Sequence, residues 1–205
     1  SAASDVYKRQ LLCPFTKQLE RFANFVIRPS KKKETYAFLD ERLLGTPSIA
    51  VGEASDMTVK MATLARMTIL SAINICQSYD VKVADEILKH EDELDLYEDK
   101  LGTYLIKITS KELTPRQTAD VSKYLHTISD LERISDHSLN IGETAQELYT
   151  KKIVFSPTGA RELKVMLAAV TRILEITINA FLDNDVAAAY RVEPLEELIL
   201  SLIHI

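Results

Sequence analysis

The sequence predicts an all-α protein of long antiparallel helices joined by short turns, and three observations carry that expectation. Five glycines, six prolines and no tryptophan accompany long stretches rich in Leu, Ile, Ala, Glu and Lys, a composition that favours helices over sheets. No stretch of any length alternates apolar and polar residues with the period of a strand. Three helix-start signals punctuate the chain: Thr46-Pro47, the capping box Thr114-Pro115-Arg116-Gln117, and Ser156-Pro157.

Taken in order, residues 4–10 (SDVYKRQ) and 201–205 (SLIHI) are similar to translated sequencing-adapter sequence, so residues 1–10 and 201–205 are set aside from fold reasoning. Residues 11–27 place Leu12, Phe15, Leu19, Phe22 and Val26 at helical spacing opposite Lys17 and Arg21, and Arg28 and Lys31 to Lys33 follow. That pattern fits either a surface helix or a segment at a cytoplasmic membrane face, and residues 11–47 read as juxtamembrane or linker helices. After Pro47 a long helix is expected, with its seam through Val59, Ala62, Ile69, Ile73 and Cys76. The next helix has its seam at Ile87, Leu94, Leu101 and Leu105, and a third runs from the Thr114 capping box to about Lys152. Residues 48–152 therefore make one three-helix bundle. Residues 153–200 read as a truncated second bundle. Its first helix has a seam at Leu163, Met166, Val170, Ile173, Thr177 and Phe181, and Asp183-Asn184-Asp185 turns into a last helix, Val186 to about Leu200.

Composition narrows the function classes. At 46% hydrophobic and 27% charged the chain is ordinary for a globular protein, and a formal charge of −5 argues against broad nucleic-acid binding. Cys13 and Cys76 form neither a disulfide framework nor a CxxC pair and read as small buried hydrophobes. No run of about 18 apolar residues predicts a membrane span.

The chemistry concentrates in two acidic stretches, 90–101 (HEDELDLYEDKL) and 129–143 (SDLERISDHSLNIGE). Counted at about 100° per residue from Val121, Leu125, Ile128 and Leu139 mark the core-facing side of the later helix, and Glu132, Asp136 and Glu143 fall on or beside it. Glu91 and Glu98 sit almost on the seam of the earlier helix, with Asp95 at its edge. The ExxxD spacing thus occurs twice, Glu91 with Asp95 and Glu132 with Asp136, on consecutive helices whose antiparallel packing would bring the pairs face to face. Carboxylates in an interface must be protonated, paired with a cation or bound to metal. Arg133 is at hand but points off the seam by roughly 100°, so metal and salt-bridge readings both stand on spacing alone. An all-oxygen donor set suits Mg, Ca, Mn or Fe, with Zn also admissible.

The segment DLERISDHSLNIGE at 130–143 resembles the characteristic motif of the PhoU family, and HEDELDLYEDKL resembles its acidic partner one helix earlier. VEPLEEL at 192–198, with Glu193, Glu196 and Glu197, resembles the motif opening the family's second half, although Leu200 stands where an aspartate is expected. FLDERLLGTPSIAVGEA at 38–54 is similar to the linker before the C-terminal PhoU-like domain of bacterial sodium/phosphate cotransporters. The resemblance implies two related three-helix bundles, with a di- or trivalent metal ion held by Glu91, Asp95, Glu132 and Asp136; from their places on the two helices Glu98, Asn140 and Glu143 are accessory candidates, Asn140 fitting a capping or packing amide better than a ligand-orienting one. It further implies a regulatory rather than catalytic role in phosphate uptake, at the cytoplasmic face of the inner membrane beside the transporter's membrane domain, with self-association as a further expectation and nucleic acid excluded. The family's usual glycine is Ser135 here.

Two other classes compete. A ferritin-like di-iron enzyme wants Glu-x-x-His on two helices, but His90, His126 and His137 follow Ile87, Lys123 and Ile134 at that spacing. A helical interaction module without metal is the remaining alternative.

Overall fold

The computed structural model describes residues 39–203, and the expectations for residues 1–38, Cys13 and the lysine run among them, and for the last two residues lie outside that range. A short 3-10 turn, Glu41–Gly45, leads into six helices: α1 (Pro47–Ile75), α2 (Val81–Thr109), α3 (Pro115–Lys151), α4 (Pro157–Leu182), α5 (Val186–Ala189) and α6 (Val192–Ile203). No strand occurs among the described residues, so the all-α expectation holds.

Local chemistry sets most helix ends. Thr114 Oγ1 accepts from the Gln117 N–H while the Gln117 side chain accepts from the Thr114 N–H at 2.9 Å, completing the capping box of α3. Asp80 caps α2 through the Lys82 N–H, and Ser156 caps α4 through the Gly159 N–H. Thr46 differs from expectation, for its side chain makes no capping bond. The 3-10 turn holds it through its own N–H to Leu43 O at 2.8 Å, with backbone angles outside the usual capping geometry. The last helix also differs, because it breaks at Tyr190–Arg191 into α5 and α6. Pro194 explains the restart: a proline is tolerated in the first helical turn, where its missing N–H has no partner to lose, but not in a helix interior.

Helices α1, α2 and α3 each pack on the other two, and five-residue connections at 76–80 and 110–114 make them run up, down and up. The seam Ile87, Leu94, Leu101 and Leu105 on α2 is buried as expected. On α1 the buried face is broader, because α1 also touches α4, and it includes Met57, Met61, Ala65, Thr68 and Ala72; Val59 falls off it and is exposed. The core divides into a large apolar cluster containing Met61, Leu94, Leu101, Leu105, Val121 and Ile128 and a smaller one of Ala72, Ile75, Ile87 and Ala145. Small buried polar residues, Thr68 on α1 and Ser135 and Ser138 on α3, lie between the two clusters in sequence.

Helix α4 behaves differently. It is long and apolar enough to cross a membrane by length and composition, yet buries only Ile178 and Ala180. Its expected seam residues Leu163, Met166, Val170, Ile173 and Phe181 are half-buried, while Thr177 is exposed. It rests on α1, where Glu175 approaches Arg66 at 3.9 Å and Phe181 joins the large cluster.

The different weights of core and cap are measurable in urea. Leu101→Ala is expected to lower unfolding free energy by about 3 kcal/mol through loss of a fully buried side chain, and Thr114→Ala by about 1 kcal/mol through loss of the cap. Equal losses would contradict the burial pattern.

Candidate metal centre

The two acidic stretches do meet. One carboxylate oxygen from each of Glu91, Asp95 and Asp136 can be chosen so that all three lie within 4.8 Å of one another, and no other group of three His, Cys, Asp or Glu side chains converges this way among the described residues. Glu91 and Asp95 are one turn apart on α2, and Asp136 faces them from α3, as the antiparallel expectation requires. Glu132 lies outside this trio, but its carboxylate still feels Asp136, Asp95 and Glu98.

Burial corrects the sequence reading. The acids do not point into the core: Glu91 and Glu132 are half-buried, and Asp95 and Asp136 are exposed. The core line of α3 runs through Val121, Tyr124, Ile128, Leu131, Ser135, Ser138, Gly142 and Ala145. A periodicity drawn through the large apolar residues alone places the seam too near Leu125 and Leu139, which are only half-buried. The small residues Ser135, Ser138 and Gly142 occupy the true interface, and the carboxylates flank it.

Electrostatics reflects crowding. Burial, then repulsion from Asp95, Asp92, Asp136 and Glu132, raises the Glu91 carboxyl above the ordinary glutamate value. Glu132 is raised by burial and then by Asp136, Asp95 and Glu98, with Arg133 opposing weakly. No lysine or arginine forms an ion pair with any of the four acids among the described residues, and Arg133 pairs with Asp130 at 3.9 Å instead. The salt-bridge reading therefore finds no cation among the described residues. Asp92 is a contributor the sequence reading missed; its only signal is adjacency to Glu91.

The remaining expected residues separate. Glu98 is half-buried and within the field of Glu132, whereas Asn140 and Glu143 are exposed and outside the trio. Glu193, Glu196 and Glu197 are exposed on α6 or at its start and belong to no comparable cluster among the described residues. Cys76 is half-buried, with burial raising its thiol pKa. His90, beside Glu91, is engaged elsewhere: Thr68 Oγ1 donates to Leu64 O at 2.8 Å, so its oxygen accepts from His90 Nδ1 at 3.2 Å.

A cation fits this geometry. Oxygens opposite each other around a hard cation are separated by roughly 4–5 Å, twice a metal–oxygen distance of about 2.1–2.5 Å, and adjacent ones lie closer. Three carboxylates within 4.8 Å match that coordination sphere.

Comparison with known proteins converges on this part of the chain. Residues 58–145 match the family described as PhoU domain, and that span contains all four acids. The chain is 27% identical over 142 residues to the phosphate-specific transport system accessory protein PhoU homolog 1 of Thermotoga maritima, covering 68% of this chain and 60% of that protein. It is 24% identical over 155 residues to the phosphate-specific transport system accessory protein PhoU homolog of Aquifex aeolicus, covering 74% and 68% respectively. The chain thus spans 60% of the length of the Thermotoga relative. No solved structure matches.

The raised carboxyls make stability depend on pH. Glu91 and Glu132 hold protons to higher pH in the folded than in the unfolded chain, so their contribution to stability is full below the ordinary value of 4.5 and is lost as pH rises through the folded values. In chelator the melting temperature should therefore rise as pH is lowered from 7 toward about 5, and Glu91→Gln should flatten the rise. Separately, Ser135 Oγ is buried without a hydrogen-bond partner, so Ser135→Ala should be neutral or stabilising by up to about 1 kcal/mol in urea denaturation.

Proposed function

We propose that the α1–α3 bundle is a PhoU-type regulatory domain, acting in control of phosphate uptake and holding a hard metal ion at Glu91, Asp95 and Asp136, with Glu132 as a fourth acid at its side. The observation that carries this reading is the convergence of three carboxylates from two helices with no lysine or arginine among the described residues paired to them. The match of residues 58–145 to the PhoU domain supports the regulatory part, as do the names of both relatives, accessory proteins of phosphate-specific transport systems. The role is regulatory rather than catalytic. A cation there offsets both the mutual repulsion and the desolvation that raise Glu91 and Glu132. The donors are all oxygen, which suits Mg, Ca, Mn or Fe better than Zn.

The wider setting rests on the resemblance of residues 38–54 to the linker of sodium/phosphate cotransporters. On that reading residues 11–47 connect the bundle to a transporter membrane domain, its partner at the cytoplasmic membrane face, and the helices from residue 157 open a second bundle. The competing reading is a helical interaction module without metal.

Metal analysis and melting curves separate the two. A bound ion at a hundredfold excess over its dissociation constant should add about 3 kcal/mol of stability. Chelator is expected to lower the melting temperature, and Asp136→Asn to lower metal content and remove most of that response. Asp130→Asn, at a highly exposed position paired with Arg133, should leave it unchanged. A melting temperature indifferent to chelator would remove the metal reading.

A further inference from the structure

The connection from α3 to α4 is the most exposed apolar feature of the described chain. Ile153, Val154 and Phe155 are consecutive and all exposed, Val154 at 88%. A run of three exposed apolar residues is uncommon on a soluble surface without a purpose. This one is held in place rather than loosely displayed.

Both of its ends are pinned. Lys152 adopts the left-handed conformation, φ 53°, and ends α3 in a Schellman motif: its N–H reaches Tyr149 O at 3.2 Å, and the Ile153 N–H reaches Leu148 O at 3.0 Å. At the other end Ser156 caps α4, with Pro157 in the first turn. The backbone therefore aims the three side chains outward before any partner arrives, and little conformational freedom is left to lose on binding.

The surroundings have the character of an interfacial surface. Tyr149 is exposed and stacks on Tyr79 with ring centroids 4.9 Å apart. Together with Leu148, Ile153, Val154 and Phe155 they line an open hollow of about 740 Å³. Phe155 also borders a second one of about 680 Å³ that continues over Leu163, Val165 and Met166. Residues 147–164 hold four cations, Lys151, Lys152, Arg161 and Lys164, and two acids, Glu147 and Glu162. Glu147 is already paired with Lys151.

We propose that this connector, residues 151–155 with Tyr149, docks on an anionic lipid surface. A side chain that protrudes as far as Val154 is covered poorly by a flat, rigid protein partner, whereas a bilayer interface closes around it. Tyrosine and lysine flanking an apolar tip are the residue types that settle at such an interface, ring and stem in the apolar region and polar ends at the headgroups. The rest of residues 39–205 is acidic and is repelled by anionic lipid, whereas residues 1–38 carry eight lysines and arginines against three acids, so the loss of partition in Val154→Asp, and not anionic preference alone, assigns the contact to this corner. Docking here does not depend on a metal ion at the acidic trio.

Vesicle co-sedimentation tests it, with phosphatidylglycerol-containing and pure phosphatidylcholine vesicles, each with and without chelator. The protein should partition onto the anionic vesicles, and chelator should leave this unchanged while changing the melting temperature, so the two readings can fail separately. Lys152→Gly keeps, and eases, the left-handed turn and should weaken partition about fivefold by loss of one charge near the surface. Val154→Asp should weaken it at least about tenfold, with circular dichroism unchanged. Because the chain has no tryptophan, Phe155→Trp gives an isolated signal whose emission should shift to the blue on vesicle binding. Equal partition of Val154→Asp, or no preference for anionic vesicles, overturns the proposal. So does a concentration-dependent dimer that Val154→Asp abolishes, since that assigns the tip to a second copy.

Discussion

The structure depends on holding α2 against α3 despite like charges along their seam. A pair of carboxylates about 4 Å apart repels by roughly 1 kcal/mol in bulk water and roughly 4 kcal/mol at a protein-surface dielectric near 20. Several such contacts would drive a pair of isolated helices apart. Apolar packing on both sides prevents it: Leu94, Leu101 and Ile128 lie toward one end of the acids, and Ile87 with Ala145 toward the other. Each large side chain so buried contributes on the order of 1.5–3 kcal/mol, which offsets repulsion of comparable size. The acids are left crowded rather than separated, and burial first, then this repulsion, raises the Glu91 and Glu132 carboxyls.

Small polar residues occupy the helix contacts near the acids: Thr68 on α1 and Ser135 and Ser138 on α3 are all fully buried. The distance between packed helices is set by the side chains at their contact. Thr68 and Ser138 satisfy their hydroxyls within their own helices, on Leu64 O and Ile134 O, so they add little bulk and no unmet demand. Ser135 is the exception. Its unpartnered hydroxyl stands where the resembling family has glycine, a residue that would give the same close approach without the polar atom.

The bundle was legible in the sequence because its signals are local. Capping at Thr114 and Ser156, the α2 seam and the length of α3 follow from nearest-neighbour chemistry, and each recurs in the structure. The convergence of three of the acids was legible, but their depth was not. Spacing finds Glu91, Asp95 and Asp136 because ExxxD repeats on neighbouring helices, yet it places them in the core because serine and glycine carry no weight in a hydrophobic periodicity. Exposure of Asp95 and Asp136, and the separation of Glu132 from the trio, depend on how the two helices are rotated about their axes. That rotation is a tertiary quantity, decided by Ser135, Ser138 and Gly142 meeting their neighbours. The break at Tyr190–Arg191 was legible in principle, since Pro194 forbids a continuous helix there.

One helix carries both the acidic trio's Asp136 and the connector. Asp136 and Lys151 lie on the continuous α3, fifteen residues apart, or roughly 22 Å at 1.5 Å per residue. At physiological salt, charges on exposed groups are screened over about 8 Å. A cation arriving at the trio therefore leaves the field at the connector unchanged, and the connector's lysines do not alter the acids. The two surfaces therefore share one helix without sharing a field, and the connector is set by its own Schellman turn rather than by the charge of the trio.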